Sequence, residues 1–177
     1  MTKYAVFLRG INVGGINIKM ADLRAALQRL PVTGAKTLLA SGNFVCSAEV
    51  PATELKSLVE GCLRENFGYD AWVVVLDQAR LEAVIAACPY PADSTEQHSY
   101  VTLSSDPAIL DELETLGGGL AGVELARLSP EALAWPAPAG GTLDSPFSKL
   151  SAKAKYKSTT TTRNLRTLLK CRDAMAP

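Results

Sequence analysis

Aromatic side chains are scarce, at 6% of the 177 residues, and histidine occurs once, as His98. A lone His with no Cys, Asp or Glu pattern beside it offers poor support for imidazole catalysis or for a metal centre. No apolar run approaches the ~20 residues that a bilayer demands; residues 71–76 are among the longest. The first nine residues lack the basic region, apolar stretch and cleavage site of a secretory leader. The four cysteines, Cys46, Cys62, Cys88 and Cys171, form no CxxC pair. That spacing argues against zinc and thioredoxin chemistry and shows no disulfide framework. HExxH, GxSxG and catalytic-cysteine signatures are missing as well. The expectation is a cytoplasmic protein with reduced thiols, no membrane association, and neither metal nor cofactor.

What is present suits a globular chain. Apolar residues make up 47% and charged residues 20%, enough to bury a real core in one domain or two small ones. The net charge of zero hides an uneven distribution. Residues 1–48 carry six Lys/Arg against Asp22 alone, residues 49–144 carry four against sixteen acids, and residues 145–177 carry eight against Asp173 alone. The segments therefore bear +5, −12 and +7. Cationic ends attract anions even in a neutral chain. The other reading is that the ends pair with the acidic middle inside the monomer.

Hydropathy patterning divides the chain. Residues 3–9 alternate as a mostly buried strand, and Met20, Leu23, Leu27 and Leu30 recur at helical spacing until Pro31 and Gly34. Residues 37–40 and 44–47 read as a hairpin about Gly42-Asn43, a pair suited to a type II′ turn. A helix opens at Pro51 with Leu55, Leu58, Val59, Cys62 and Leu63 as its stripe, and residues 72–76 form a fourth strand. The order βαββαβ predicts a ferredoxin-like plait with both helices on one face. After a helix over 78–87, the architecture recurs: strand 100–103, helix 107–116, strands 123–128 and 133–135, a Pro/Ala/Gly loop over 136–146, and helices over 147–156 and 161–175. The fold class expected is α+β, with two linked plaits over 1–76 and 98–177 joined by a helix and linker at 77–97.

Three stretches are candidates for chemistry. Arg9, Gly10, Asn12, Gly14 and Gly15 lie between a strand end and a helix start, where glycine lets main-chain N–H groups approach an anion. The P-loop pattern fails, because Ile16 and Asn17 stand where Lys and Ser/Thr are needed, and GxGxxG fails too. A turn requiring a permissive backbone explains the glycines equally well. Ser41, Gly42 and Asn43 are first of all a turn, but in a plait the first and third strands are neighbours, so this hairpin should approach the glycine loop. The third stretch is Ser148-Lys149-Leu150 with Thr162, Arg163 and Asn164. Eight bases and no acid fall between Lys149 and Arg172, and the spacing of Arg163, Arg166 and Lys170 predicts one helical face opposite Leu165, Leu168 and Leu169. An ordinary amphipathic helix with a threonine cap has the same features. Tyr156 is the one aromatic of this segment, which gives base stacking little support.

The strings FLRGINVGG at 7–15, ASGNFV at 40–45, SKL at 148–150 and TTRN at 161–164 carry a resemblance. The chain resembles the bacterial family DUF1697, a domain of unknown function, over nearly its whole length. The resemblance implies two α/β plaits in a cytoplasmic protein and supplies no activity, cofactor or catalytic residue. Ile16, Ala134 and Leu165 depart from the family's pattern, where Lys, an aromatic and Trp are common.

The leading expectation is a binding module in which Arg9, Asn12, Ser41 and Asn43, completed by Lys149, Arg163 and Asn164, hold the phosphate of a small molecule, a nucleotide or a nucleic acid. Two alternatives are an enzyme acting on a phosphorylated substrate, with Asp22 or Asp144 as base, and a homo-oligomeric interaction protein. Oligomeric state is not legible in the sequence.

Overall fold

A computed structural model of the chain describes residues 1–11 and 16–177. They form two compact units, Met1–Glu82 with Lys170–Pro177, and Ala83–Leu169. No helix among the described residues is long and apolar enough to cross a membrane.

The first unit contains β1 (Thr2–Leu8), α1 (Met20–Leu27), β2 (Thr33–Leu38), β3 (Asn43–Ala48), α2 (Ala52–Phe67) and β4 (Val73–Asp77). Its sheet runs β2-β3-β1-β4 with every neighbour antiparallel, the ferredoxin-like order. Tyr4, Val6 and Leu8 of β1 meet Leu23 and Leu27 of α1 and Leu55, Val59 and Leu63 of α2 in one core. The alternate residues Ala5 and Phe7 are buried too, so the central strand is apolar and buried from Tyr4 to Leu8. α2 ends where Gly68 takes φ +63°, the left-handed conformation that glycine adopts without a Cβ penalty. The buried Glu60 carboxylate fastens α2 to β4: it accepts from the Val73 N–H at 3.1 Å and pairs with Lys56.

α3 (Gln78–Ala87) crosses the division between units. The second unit continues with β5 (Gln97–Leu103), α4 (Pro107–Gly118), β6 (Ala126–Ser129), β7 (Ala132–Pro138), α5 (Pro146–Ser151), α6 (Ala154–Lys157) and β8 (Thr161–Asn164). Its sheet order, β6-β7-β5-β8, repeats that of the first, again all antiparallel. Leu110 and Leu113 of α4, Leu133 and Trp135 of β7, and Phe147 and Leu150 of α5 form its core. α7 (Leu165–Met175) also crosses the division, and within the first unit Lys3 Nζ donates to the Met175 carbonyl at 2.7 Å.

Three local expectations are corrected. Residues 161–164 are a strand, not the start of a helix: they pair with Tyr100 to Leu103 of β5, and their β-branched threonines suit a pleated ladder. Asn164 then caps α7, its Oδ1 accepting from the Arg166 N–H at 2.9 Å, in place of a threonine. The hairpin pairs Leu38 with Asn43, so residues 39–42 form the loop and Asn43 belongs to the strand. β7 runs through Pro136 and Pro138 into the segment read as loop. Its pairing with β6 stops at Ala134, which leaves one side of the strand without ladder partners and makes proline tolerable there.

The helix α4 offers a paired test of close packing. A Cβ added at Gly117 would stand 2.8 Å from both Leu125 Cδ1 and Phe147 Cδ2, whereas one at Gly118 meets nothing within 4 Å. Gly118→Ala should raise stability by up to about 0.5–1 kcal/mol through helix propensity. Gly117→Ala should instead lower it by about 1–3 kcal/mol through overpacking. Urea midpoints at unchanged m-value check both.

Candidate functional site

Antiparallel pairing of β1 with β3 brings the residues that follow β1 against the loop that precedes β3. The Leu8 N–H donates to the Gly42 carbonyl at 2.8 Å. Gly42, at φ +85°, lies so close under Ile11 that a Cβ there would stand 2.6 Å from Ile11 Cδ1. Arg9 is held from the other side of the sheet end. Its N–H donates to the Trp72 carbonyl at 3.0 Å and its Nη2 to the Asp70 carbonyl at 2.7 Å. Gly10 and Ser41 are exposed at this end. Asn43 is fully buried and its Nδ2 donates to the Leu38 carbonyl and to Ser41 Oγ, both at 2.9 Å, so it braces the hairpin. Asn12, Gly14 and Gly15 lie outside the described residues.

Two residues near Arg9 carried no sequence signal. Burial pushes the Tyr69 hydroxyl up to about 12, and the nearby Arg9 charge opposes that rise. Tyr69 Oη and Trp72 Nε1 are buried without hydrogen-bond partners among the described residues. Lys56 Nζ sits 3.9 Å from the centre of the Trp72 ring, a cation–π contact. These residues reach Arg9 through the pairing of Leu8 with Val73, a juxtaposition that separation along the chain conceals.

The C-terminal motif belongs to the second unit. The Ser148 N–H donates to Ser145 Oγ at 3.1 Å, the cap of α5, and Lys149 is exposed on that helix. Thr162 Oγ1 lies 2.9 Å from Thr102 Oγ1, which also accepts from Trp135 Nε1 at 3.0 Å; the three side chains form a polar link across β8, β5 and β7. Arg163 is 7% exposed, and its Nη1 donates to Thr161 Oγ1 at 2.5 Å and to the Thr162 carbonyl at 3.0 Å. It does not share a helical face with Arg166 and Lys170, because it sits in β8. Arg166 donates to the carbonyls of Ala92 and Ser94.

Part of the basic tail is neutralised within its own unit. Lys155 Nζ lies 2.5 Å from Glu112 Oε1, which also accepts from Tyr156 Oη at 2.8 Å. Hydrogen bonds from Lys155 and Tyr156 lower the Glu112 carboxyl, and the bond to Glu112 raises Lys155. The acidic middle thus supplies at least one counter-charge. Of the carboxylates considered as bases, Asp22 is exposed in the first turn of α1, and Asp144 borders a cavity of the second unit that contains none of the sequence-predicted binding residues.

None of the four cysteines is in a disulfide. Cys46, buried in β3, is pushed up to about 11 from an ordinary value of 9.0 by burial, which suits a small apolar core group and not a nucleophile.

The sequence profile of the protein family described as "Protein of unknown function (DUF1697)" matches residues 1–130. The LRGINVGG and SGN strings fall inside that span; SKL and TTRN fall outside it. No curated protein matches the chain. Among solved structures, a conserved bacterial protein from Streptococcus pneumoniae is similar with a TM-score of 0.82 at 20% identity, 99% of each chain being covered. At that identity the likeness is one of fold. An unknown protein from Galdieria sulphuraria is aligned at 12% identity over 92% of this chain and 96% of its own, with a TM-score of 0.26.

Two tests separate scaffold from surface. Gly42→Ala combines a left-handed backbone with the Ile11 contact and should cost about 2–4 kcal/mol, whereas Gly10→Ala, at φ +59° with open space around it, should cost only about 1–2 kcal/mol. Denaturant unfolding of the two variants side by side reads the difference. The second test uses the raised Cys46 thiol. Above pH 9 the unfolded thiol ionises while the folded one keeps its proton, so its contribution to stability declines as pH rises toward about 11. The slope is at most about 1.4 kcal/mol per pH unit. Cys46→Ala should remove that part of the decline in urea melts at successive pH values.

Proposed function

The chain belongs to DUF1697, a family of unknown function, and since membership names no ligand, we propose from its geometry that the protein is a binding module for an anionic group. The reading is carried by the convergence of the post-β1 segment and the β2–β3 loop beside an anchored arginine. Arg9, Gly10 and Ser41 are the contacting groups at that end, with the glycines 14 and 15 and Asn12 as further donors. Gly42 and Asn43 hold the loop in place. A phosphate on a small molecule, a nucleotide or a nucleic acid is the class that matches a cation set among main-chain amides. On the second unit, the exposed Lys149 on α5 is a further cationic contact, while Ser148 belongs to the start of that helix and Thr162, Arg163 and Asn164 to β8. The four cysteines, none of them in a disulfide, support a cytoplasmic setting.

The test is calorimetric titration with inorganic phosphate, nucleotides and short duplexes at several salt concentrations. Duplex binding should weaken with a log–log slope of about −0.9 per phosphate contacted. Arg9→Gln should reduce affinity about ten- to hundredfold, the loss expected for one charge-assisted contact, and its unfolding midpoint, measured alongside, separates lost binding from lost fold. Indifference to every anion, or undiminished binding by a folded Arg9→Gln, overturns the proposal.

A further inference from the structure

We propose that the second unit carries a site for a small organic cation, an ammonium group on an aromatic or aliphatic body. The site is a cavity of about 480 Å³, within the range of small-molecule pockets. The nearly buried Trp135 and Phe147 underlie it, Pro136, Pro138 and Pro146 contribute walls that offer no main-chain N–H, and the exposed carboxylates of Glu124 and Asp144 border it. A second hollow of about 320 Å³ shares Glu124, Pro136 and Pro138 with it and adds Glu96. No Lys, Arg or His lines either one.

The floor is held before any ligand arrives. Trp135 stacks on Tyr100 at 4.9 Å between ring centres and meets Phe147 at 5.3 Å, while its Nε1 is committed to Thr102 on the far side. Tyr100 Oη lies 2.7 Å from Thr142 Oγ1, in the short turn that carries Asp144. A rigid apolar surface of this kind spares a ligand much of the ordering cost of binding.

Charge selects the ligand class. None of Glu96, Glu124 and Asp144 takes part in an ion pair among the described residues, whereas Glu112, Asp111 and Glu114 of the same unit are paired with Lys155 or Arg127. An anion entering the cavity would face two carboxylates and no compensating cation. A neutral apolar molecule would leave the carboxylates unused. An ammonium with an apolar body satisfies both parts.

The experiment follows the two tryptophan indole N–H signals by NMR, assigned with Trp72→Phe, during titration with 2-phenylethylamine, 2-phenylethanol and phenylacetate. The Trp135 signal should shift saturably with the amine, which binds about three- to thirtyfold more tightly than the alcohol, the range for two partly exposed ion pairs. Phenylacetate should bind more weakly than the alcohol. The double variant Glu124→Gln/Asp144→Asn changes exposed positions only and should bring the amine down to the alcohol's affinity. Saturation by none of the probes, equal binding of all three, or an amine affinity untouched by the double variant overturns the proposal. Because the Arg9 end belongs to the other unit, failure here leaves the phosphate titrations to be judged separately.

Discussion

The burial of the central strand of the first sheet from Tyr4 to Leu8 is the constraint from which the rest of that unit follows. In β1, Tyr4 to Leu8 are all 4% exposed or less, and the strand is hydrogen-bonded on both sides, to β3 and to β4. Burying side chains of this kind contributes roughly 1.5–3 kcal/mol each. The strand's share is thus comparable to the whole net stability of a domain, about 5–15 kcal/mol. Its register cannot slip by one residue without exchanging the set packed on α1 and α2 for the set facing away. β5 holds the same place in the second sheet, between β7 and β8.

That pairing decides what stands at the sheet ends. With Val6 opposite Phe44 and Phe7 opposite Asn43, the chain leaving β1 must pass over Gly42, and with Leu8 opposite Val73 it must pass Trp72. Arg9 is held at that crossing by the carbonyls of Trp72 and Asp70. Polar residues of the strings that look most chemical are largely consumed in building the elements. Asn43 closes a hairpin, Asn164 caps a helix, Thr162 joins a chain of hydroxyls, and Arg163 bonds within its own strand.

The alternation of residues 3–9, the helical stripe from Leu55 to Leu63 and the proline and glycine stops around them were enough to read βαββαβ, because periodic burial is written locally. Residues 161–164 were misread because four polar and β-branched residues before a helix have no period of their own; their partner, β5, lies some sixty positions away. The same distance hid Tyr69 and Trp72 from Arg9, and hid the cavity altogether. Trp135 falls in the strand legible over 133–135, but nothing in its neighbourhood along the chain tells that Glu124 and Asp144 border the same hollow.

By itself, then, the amino-acid order determined the α+β class, the plait of the first unit and the segregation of charge into basic ends and an acidic middle, since each depends on composition or local periodicity; the strand that completes the second sheet came only from its pairing with β5. Only the tertiary structure decided which polar groups are scaffold and which stand at a surface, where the acids of the middle find partners, and which carboxylates are left without them. Those outcomes depend on pairings between distant strands, whose free energy comes from burial of their apolar faces and is indifferent to the chemistry that the pairing happens to bring together.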